Sequence, residues 1–99
     1  MKKVVLLGST GSIGTSTLAL VDAAGERYEI ECLVGGSNFT LLAQQALKYR
    51  PKIVGLCNEA RLPALQAALA GSGIEIVGGQ RDCDELARIP VDIVIAGIT

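Results

Sequence analysis

Ninety-nine residues with a net charge of −1 leave room for one domain and show no basic surface for nucleic acid or another polyanion. Nearly half the chain is apolar, yet only Tyr28, Phe39 and Tyr49 are aromatic and twelve residues are glycine, a balance that favours layered helix and sheet packing over an all-β sandwich. Lys2 and Lys3 precede only four apolar residues, too short a run for a signal peptide or a membrane span, so a soluble cytoplasmic protein is expected.

Val4 to Leu7 is an unbroken apolar run and suits a strand buried on both faces. From Ser12 the pattern turns helical, with Ile13, Thr17, Leu20, Val21 and Ala24 sharing one face and Gly25 as the stop. Glu29 to Val34 reads as the second strand, broken by Gly35 and Gly36. Asn38 or Thr40 can cap a helix that runs to about Arg50 on a stripe of Leu42, Ala46 and Tyr49, with Pro51 ending it. Lys52 to Cys57 is the third strand. Asn58 can cap the next helix, whose apolar face is Leu62, Leu65 and Leu69, although Pro63 fits there only within the first turn. Ile74 to Val77 is a short fourth strand. Asp82 and Glu85 have capping-box spacing for a helix to about Arg88, and Asp92 to Ala96 is the fifth strand.

Five strands alternating with four helices over short connections predict an α/β fold, a doubly wound, mostly parallel sheet with helices on both faces. Residues 1–99 form one such domain, with no internal repeat or linker. Cys32, Cys57 and Cys83 have neither metal-ligand nor disulfide spacing and read as free thiols, two of them in or beside apolar runs. The chain contains no histidine, the commonest general base and metal ligand.

The first strand leads straight into Gly8-Ser9-Thr10-Gly11-Ser12-Ile13-Gly14 and then a helix. This strand, G-x-x-G-x-x-G loop and helix order is that of a Rossmann-like dinucleotide site. Unpaired N–H groups and the positive end of the helix dipole favour a pyrophosphate there. Gly8 permits the tight turn, Gly11 leaves room for the phosphate, Gly14 lets helix meet strand, and Thr10 and Ser12 can add hydroxyl donors. A Walker loop is ruled out, because its second glycine would fall at Ile13 and its lysine at Gly14. At the end of the second strand, Gly36-Ser37-Asn38 carries no carboxylate to hold ribose hydroxyls or repel a 2′-phosphate, which tilts the site toward NADP. A plain turn and helix cap is the other reading of that stretch.

The segments LLGSTGSIGTSTL, LVGGSN some twenty residues later, and VDIVIAGI resemble the start of the 1-deoxy-D-xylulose 5-phosphate reductoisomerase family. The resemblance covers nearly the whole chain. It implies an oxidoreductase that rearranges and reduces 1-deoxy-D-xylulose 5-phosphate to 2-C-methyl-D-erythritol 4-phosphate in non-mevalonate isoprenoid biosynthesis. It also implies NADPH, Mg²⁺ or Mn²⁺, a ketose-phosphate substrate and a homodimer. Carried onto this chain, the cofactor contacts are Thr10, Gly11, Ser12 and Ile13 at the pyrophosphate and Gly36, Ser37 and Asn38 at the 2′-phosphate. Gly97 and Ile98 match the strand end near the nicotinamide. Ser37 stands where the family often has a basic residue, which weakens the expected preference for NADP. The family's metal-binding carboxylates, catalytic lysine and substrate-phosphate residues map to nothing here. The expectation is therefore an N-terminal cofactor domain of a longer enzyme, inactive alone. Two alternatives are a cofactor domain of another reductase, such as a semialdehyde dehydrogenase, and a non-enzymatic dinucleotide-binding redox sensor.

Overall fold

The structure, a computed structural model, describes residues 1–97. Five strands, β1 (Lys2–Leu7), β2 (Tyr28–Gly35), β3 (Ile53–Leu56), β4 (Glu75–Gly78) and β5 (Ile93–Ala96), form one sheet in the order β4-β3-β2-β1-β5, every neighbouring pair parallel. Four helices connect them: α1 (Ser12–Ala24), α2 (Phe39–Tyr49), α3 (Leu62–Ala68) and α4 (Gln80–Leu86). The expected doubly wound α/β domain is what forms.

Chain direction explains which face each helix covers. The steps β1 to β4 all move the same way across the sheet, and right-handed crossovers then place α1, α2 and α3 on one face. Leu18, Leu42, Ala43, Ala46, Leu65 and Leu69 pack there on Val4, Leu6, Ile30, Leu33, Val54 and Leu56. The step from β4 back to β5 reverses direction, so α4 lies on the opposite face. There Cys83 and Leu86 meet Val5, Cys32 and Val34. The reversal opens a crevice between the carboxyl ends of β1 and β5, the place where sheets of this type hold ligands.

β2 carries one irregularity. Val4 pairs with Ile30 but Val5 pairs with Cys32, so Glu31 is the extra residue of a bulge. Ile30 and Leu33 consequently share the helix-rich face, whereas Cys32 and Val34 share the other. The Glu31 side chain lies within 3.4 Å of the Lys52 ammonium and 4.0 Å of that of Lys3.

Three local expectations are corrected. Ile13 and Leu20 do not lie on the buried face of α1: they are 51% and 71% exposed, and the helix instead buries Gly14 and Leu18, with Val21 partly covered. A close-packed glycine, invisible to a hydrophobicity pattern, sets the rotation of the helix. The helix of the fourth connection starts at Gln80, with no side-chain cap, and Asp82 lies inside its first turn. Gly79, at φ +91, turns the chain there, and its carbonyl accepts from the Cys83 N–H. Asn58 caps a 3-10 turn, Glu59–Arg61, before α3, and this places Pro63 in the helix's first turn, where its missing N–H costs nothing. Asn38, rather than Thr40, caps α2, its Oδ1 accepting from the Leu41 N–H at 3.2 Å.

Candidate dinucleotide groove

The apolar run of β1 ends in a loop that the sheet holds from beneath. Gly8, at φ +79, turns the backbone so that the Gly8 and Ser9 N–H groups both donate to the Val34 carbonyl of β2, at 2.8 and 3.0 Å. The Gly11 N–H closes the turn onto the Gly8 carbonyl at 3.1 Å. A fourth tie comes from α2, where the buried Gln45 amide donates to the Ser9 carbonyl at 2.9 Å. Thr10 is half-buried and its methyl faces Gly35.

The loop's glycines differ in what requires them. A Cβ on Gly14 would lie 2.6 Å from the Ser9 Cα and carbonyl carbon, so the fold itself demands glycine where α1 crosses the loop. A Cβ on Gly11 would meet nothing closer than the Gly8 carbonyl oxygen at 3.5 Å, so the fold alone tolerates a side chain there. Such a side chain would enter the groove that Gly11 lines. Gly11 precedes the first turn of α1, whose earliest helical backbone bond runs from the Thr15 N–H to the Gly11 carbonyl at 2.9 Å. The N–H groups of Ser12, Ile13 and Gly14 have no carbonyl one turn back to bond. No side chain caps this end and no acidic residue stands in its first turn, so its positive partial charge is uncompensated within the helix.

That helix end opens on a groove of about 410 Å³ lined by Gly8, Gly11, Val34, Gly35, Gly36, Cys57, Gln80 and Gly97. It lies at the β1–β5 switch point and runs past the end of β2 toward β3. Glycines make up most of its wall, so a ligand can approach the backbone closely. Gly97 closes one side: its N–H donates to the Leu7 carbonyl at 2.8 Å, and its Cα faces the Ile13 side chain. Ile98 lies outside the described residues. Ser12 is exposed, and its carbonyl accepts from the Thr15 hydroxyl at 3.1 Å. Ile13 is half-exposed and packs against Gly97.

Beyond β2, Gly36, Ser37 and Asn38 are all exposed. A Cβ on Gly36 would meet nothing within 4 Å. The Asn38 Oδ1 is committed to capping α2, which leaves its amide hydrogens for a ligand. The Ser37 hydroxyl accepts from the Asn58 amide at 3.1 Å. The structure thus brings Gly11, Gly36 and Gly97 onto one groove, with Ser37 and Asn38 continuing from its rim.

Sequence reasoning missed four neighbours of this site. Cys57 and Gln80 line the groove because β3 and β4 end beside it. Gln45 was detectable as a polar residue three positions after Leu42 on the buried side of α2. Asn58 reads in the sequence only as a cap. Cys32 and Cys83 are buried free thiols away from solvent, and burial pushes the Cys32 thiol up to about 11. Among the described residues, no three His, Cys, Asp or Glu side chains cluster so as to hold a metal ion, and no helix is long and apolar enough to cross a membrane.

The family model described as 1-deoxy-D-xylulose 5-phosphate reductoisomerase matches residues 4–99. Reductoisomerases of that name from Glaesserella parasuis serovar 5 and Gloeobacter violaceus are 46% and 44% identical to this chain, each over 101 residues and 99% of it. The chain spans about a quarter of the length of the curated relatives it matches. The Zymomonas mobilis enzyme, solved in complex with NADPH, superposes on 98% of the chain and 26% of its own with a TM-score of 0.93 at 34% identity. A DOX-P reductoisomerase solved with NADPH, fosmidomycin and magnesium gives a TM-score of 0.91 at 30% identity, over 99% of this chain and 24% of its own. These matches favour the reductoisomerase resemblance over the semialdehyde-dehydrogenase and sensor alternatives. Sheet order, glycine loop and sequence agree, and the chain belongs to the 1-deoxy-D-xylulose 5-phosphate reductoisomerase family.

Proposed function

We propose that this chain is the N-terminal, NADPH-binding domain of an oxidoreductase that converts 1-deoxy-D-xylulose 5-phosphate to 2-C-methyl-D-erythritol 4-phosphate. The observation that carries the proposal is the Gly11 position. A glycine that the fold does not require stands before an uncapped, acid-free helix start, beside a glycine-walled groove. That combination suits a pyrophosphate held by backbone N–H groups. NADP-binding relatives of the same fold, at 30% identity and above, support the nucleotide assignment.

The residues would divide the cofactor between them. The Ser12 and Ile13 N–H groups and the Thr10 and Ser12 hydroxyls would hold the pyrophosphate, with Gly11 leaving it room. Gly36, Ser37 and Asn38 would take the adenosine 2′-phosphate, and Gly97 would flank the nicotinamide half. When bound, NADPH supplies hydride for carbonyl reduction; the chain's own part is to position it. The described residues offer no cluster for Mg²⁺ or Mn²⁺. The homodimeric state implied by the family resemblance, and the cytoplasmic location expected from the short apolar run after Lys2 and Lys3, belong to this same proposal.

Calorimetric titration of the chain with NADPH and NADH tests it. NADPH is expected to bind more tightly, and Asn38→Ala is expected to narrow the gap. A hydrogen bond to a charged group is worth about 1.5–3 kcal/mol, so the parent's discrimination should be about one to two orders of magnitude. Equal affinities in the parent chain would refute the 2′-phosphate assignment.

A further inference from the structure

A serine hydroxyl is an ambivalent ligand for an anion. It can donate one hydrogen bond, but it can equally turn its hydrogen elsewhere and present lone pairs, whereas a lysine brings only donors. Ser37 is exposed at the turn after β2, so the direction of its hydroxyl hydrogen decides what it offers an anion there. The structure holds that direction from β3's side of the groove.

Asn58 follows β3 and is fixed at three points. Its backbone N–H donates to the Gly36 carbonyl at 2.9 Å, one residue beyond a matching bond from the Cys57 N–H to the Gly35 carbonyl. Its Oδ1 accepts from the Ala60 N–H at 3.1 Å. With the oxygen so committed, the amide nitrogen is the end that faces the Ser37 Oγ, at 3.1 Å. The hydroxyl therefore accepts from Asn58, and its own hydrogen is left to donate. Bonds running from amide to hydroxyl to phosphate would also polarise one another in the same sense.

We propose that Asn58 is a positioning residue for nucleotide selectivity, committing the Ser37 hydroxyl to donate to the 2′-phosphate of NADPH. The inference rests on the reading of Gly36–Asn38 as the 2′-phosphate end. It goes beyond that reading by assigning a role to a residue on a different strand connection, 21 positions away.

The test is a set of calorimetric titrations with NADPH and NADH on the parent chain, Ser37→Ala, Asn58→Ala, the double variant and Asn58→Asp. Asn58→Ala should weaken NADPH about three- to tenfold and leave NADH unchanged. In the Ser37→Ala background the same change should add nothing. Asn58→Asp keeps the acceptor for Ala60 and so preserves the turn. It cannot donate, it takes the Ser37 hydrogen for itself, and it adds negative charge, so its NADPH loss should exceed that of Asn58→Ala. Because it retains the turn's cap, it also serves as the readable variant should Asn58→Ala fold poorly. Equal losses for the two nucleotides, or an undiminished Asn58→Ala effect without Ser37, would overturn the role of Asn58 while leaving the 2′-phosphate assignment in place. A parent chain that does not distinguish NADPH from NADH would overturn that assignment, and this proposal with it.

Discussion

The two ends of the groove are made of different material. At the glycine loop the groups presented are chiefly backbone N–H donors, with the Thr10 and Ser12 hydroxyls beside them, and the loop is held by the Val34 carbonyl, the buried Gln45 amide and the close seat of Gly14 on Ser9. At Gly36–Asn38 the groups presented are exposed side chains, arranged by two asparagines that each spend an oxygen on a local N–H. Backbone donors survive every point mutation except to proline, whereas side-chain donors are lost in most. On the proposed reading, the comparison teaches that the anchor for a pyrophosphate common to all dinucleotides is built into the fold, while the choice between nucleotides is placed where substitution is cheap.

Breaking the rigid end should have the largest effect. Gly14→Ala would drive a methyl into Ser9, and overpacking of that kind costs about 1–3 kcal/mol or more. At this chain length each kcal/mol lowers Tm by about 4–8 °C, so thermal unfolding followed by circular dichroism should show a clear drop, with both nucleotides bound less well. An unchanged Tm would mean that loop and helix are not locked together. Gly11→Val separates fold from ligand. Tm should stay close to the parent, since a Cβ there meets only ordinary contacts. NADPH and NADH should each lose about a hundredfold in affinity, equivalent to about 2.8 kcal/mol. Retained affinity would remove Gly11 from the pyrophosphate site. Gln45→Leu is the smallest of the three. It leaves the Ser9 carbonyl without its partner from α2, at a cost of about 1–3 kcal/mol offset in part by burial of the leucine. Its signature is a modest loss for NADPH and NADH alike, in contrast to the selective loss expected at Asn58. A selective loss at Gln45 would blur the division between the two ends.

How much of this was legible in the sequence follows the range of the interactions. β1 and β2 stood out because buried parallel strands need apolar runs, and the glycine loop stood out because a tight turn and close backbone approach admit few residues other than glycine. The rotation of α1 was misread because Ile13 and Leu20 score as core while Gly14, which does the packing, scores as nothing. The start of α4 was misread because Asp82 and Glu85 have the spacing of a cap, but the turn was made upstream by Gly79. Gln45 and Asn58 act across 36 and 21 positions, and no local pattern records whom a buried or half-buried amide will meet. The loop's glycines are thus legible in the sequence, but the amides that bond beside them are not.

The bulge at Glu31 gives β2 two phases. Ahead of it the strand is timed to the helix-rich face through Ile30; beyond it the timing is reset by one residue, so that Leu33 returns to that face and Val34 to the other. The Val34 carbonyl that receives Gly8 and Ser9 belongs to the reset half. A chain shortened by this one residue would be a frameshift in space rather than in code. It could keep the early phase and lose the seat of the glycine loop, or keep the late phase and turn the strand's beginning inside out. Glu31, drawn inward between two lysines, is the spacer that lets one strand keep both appointments.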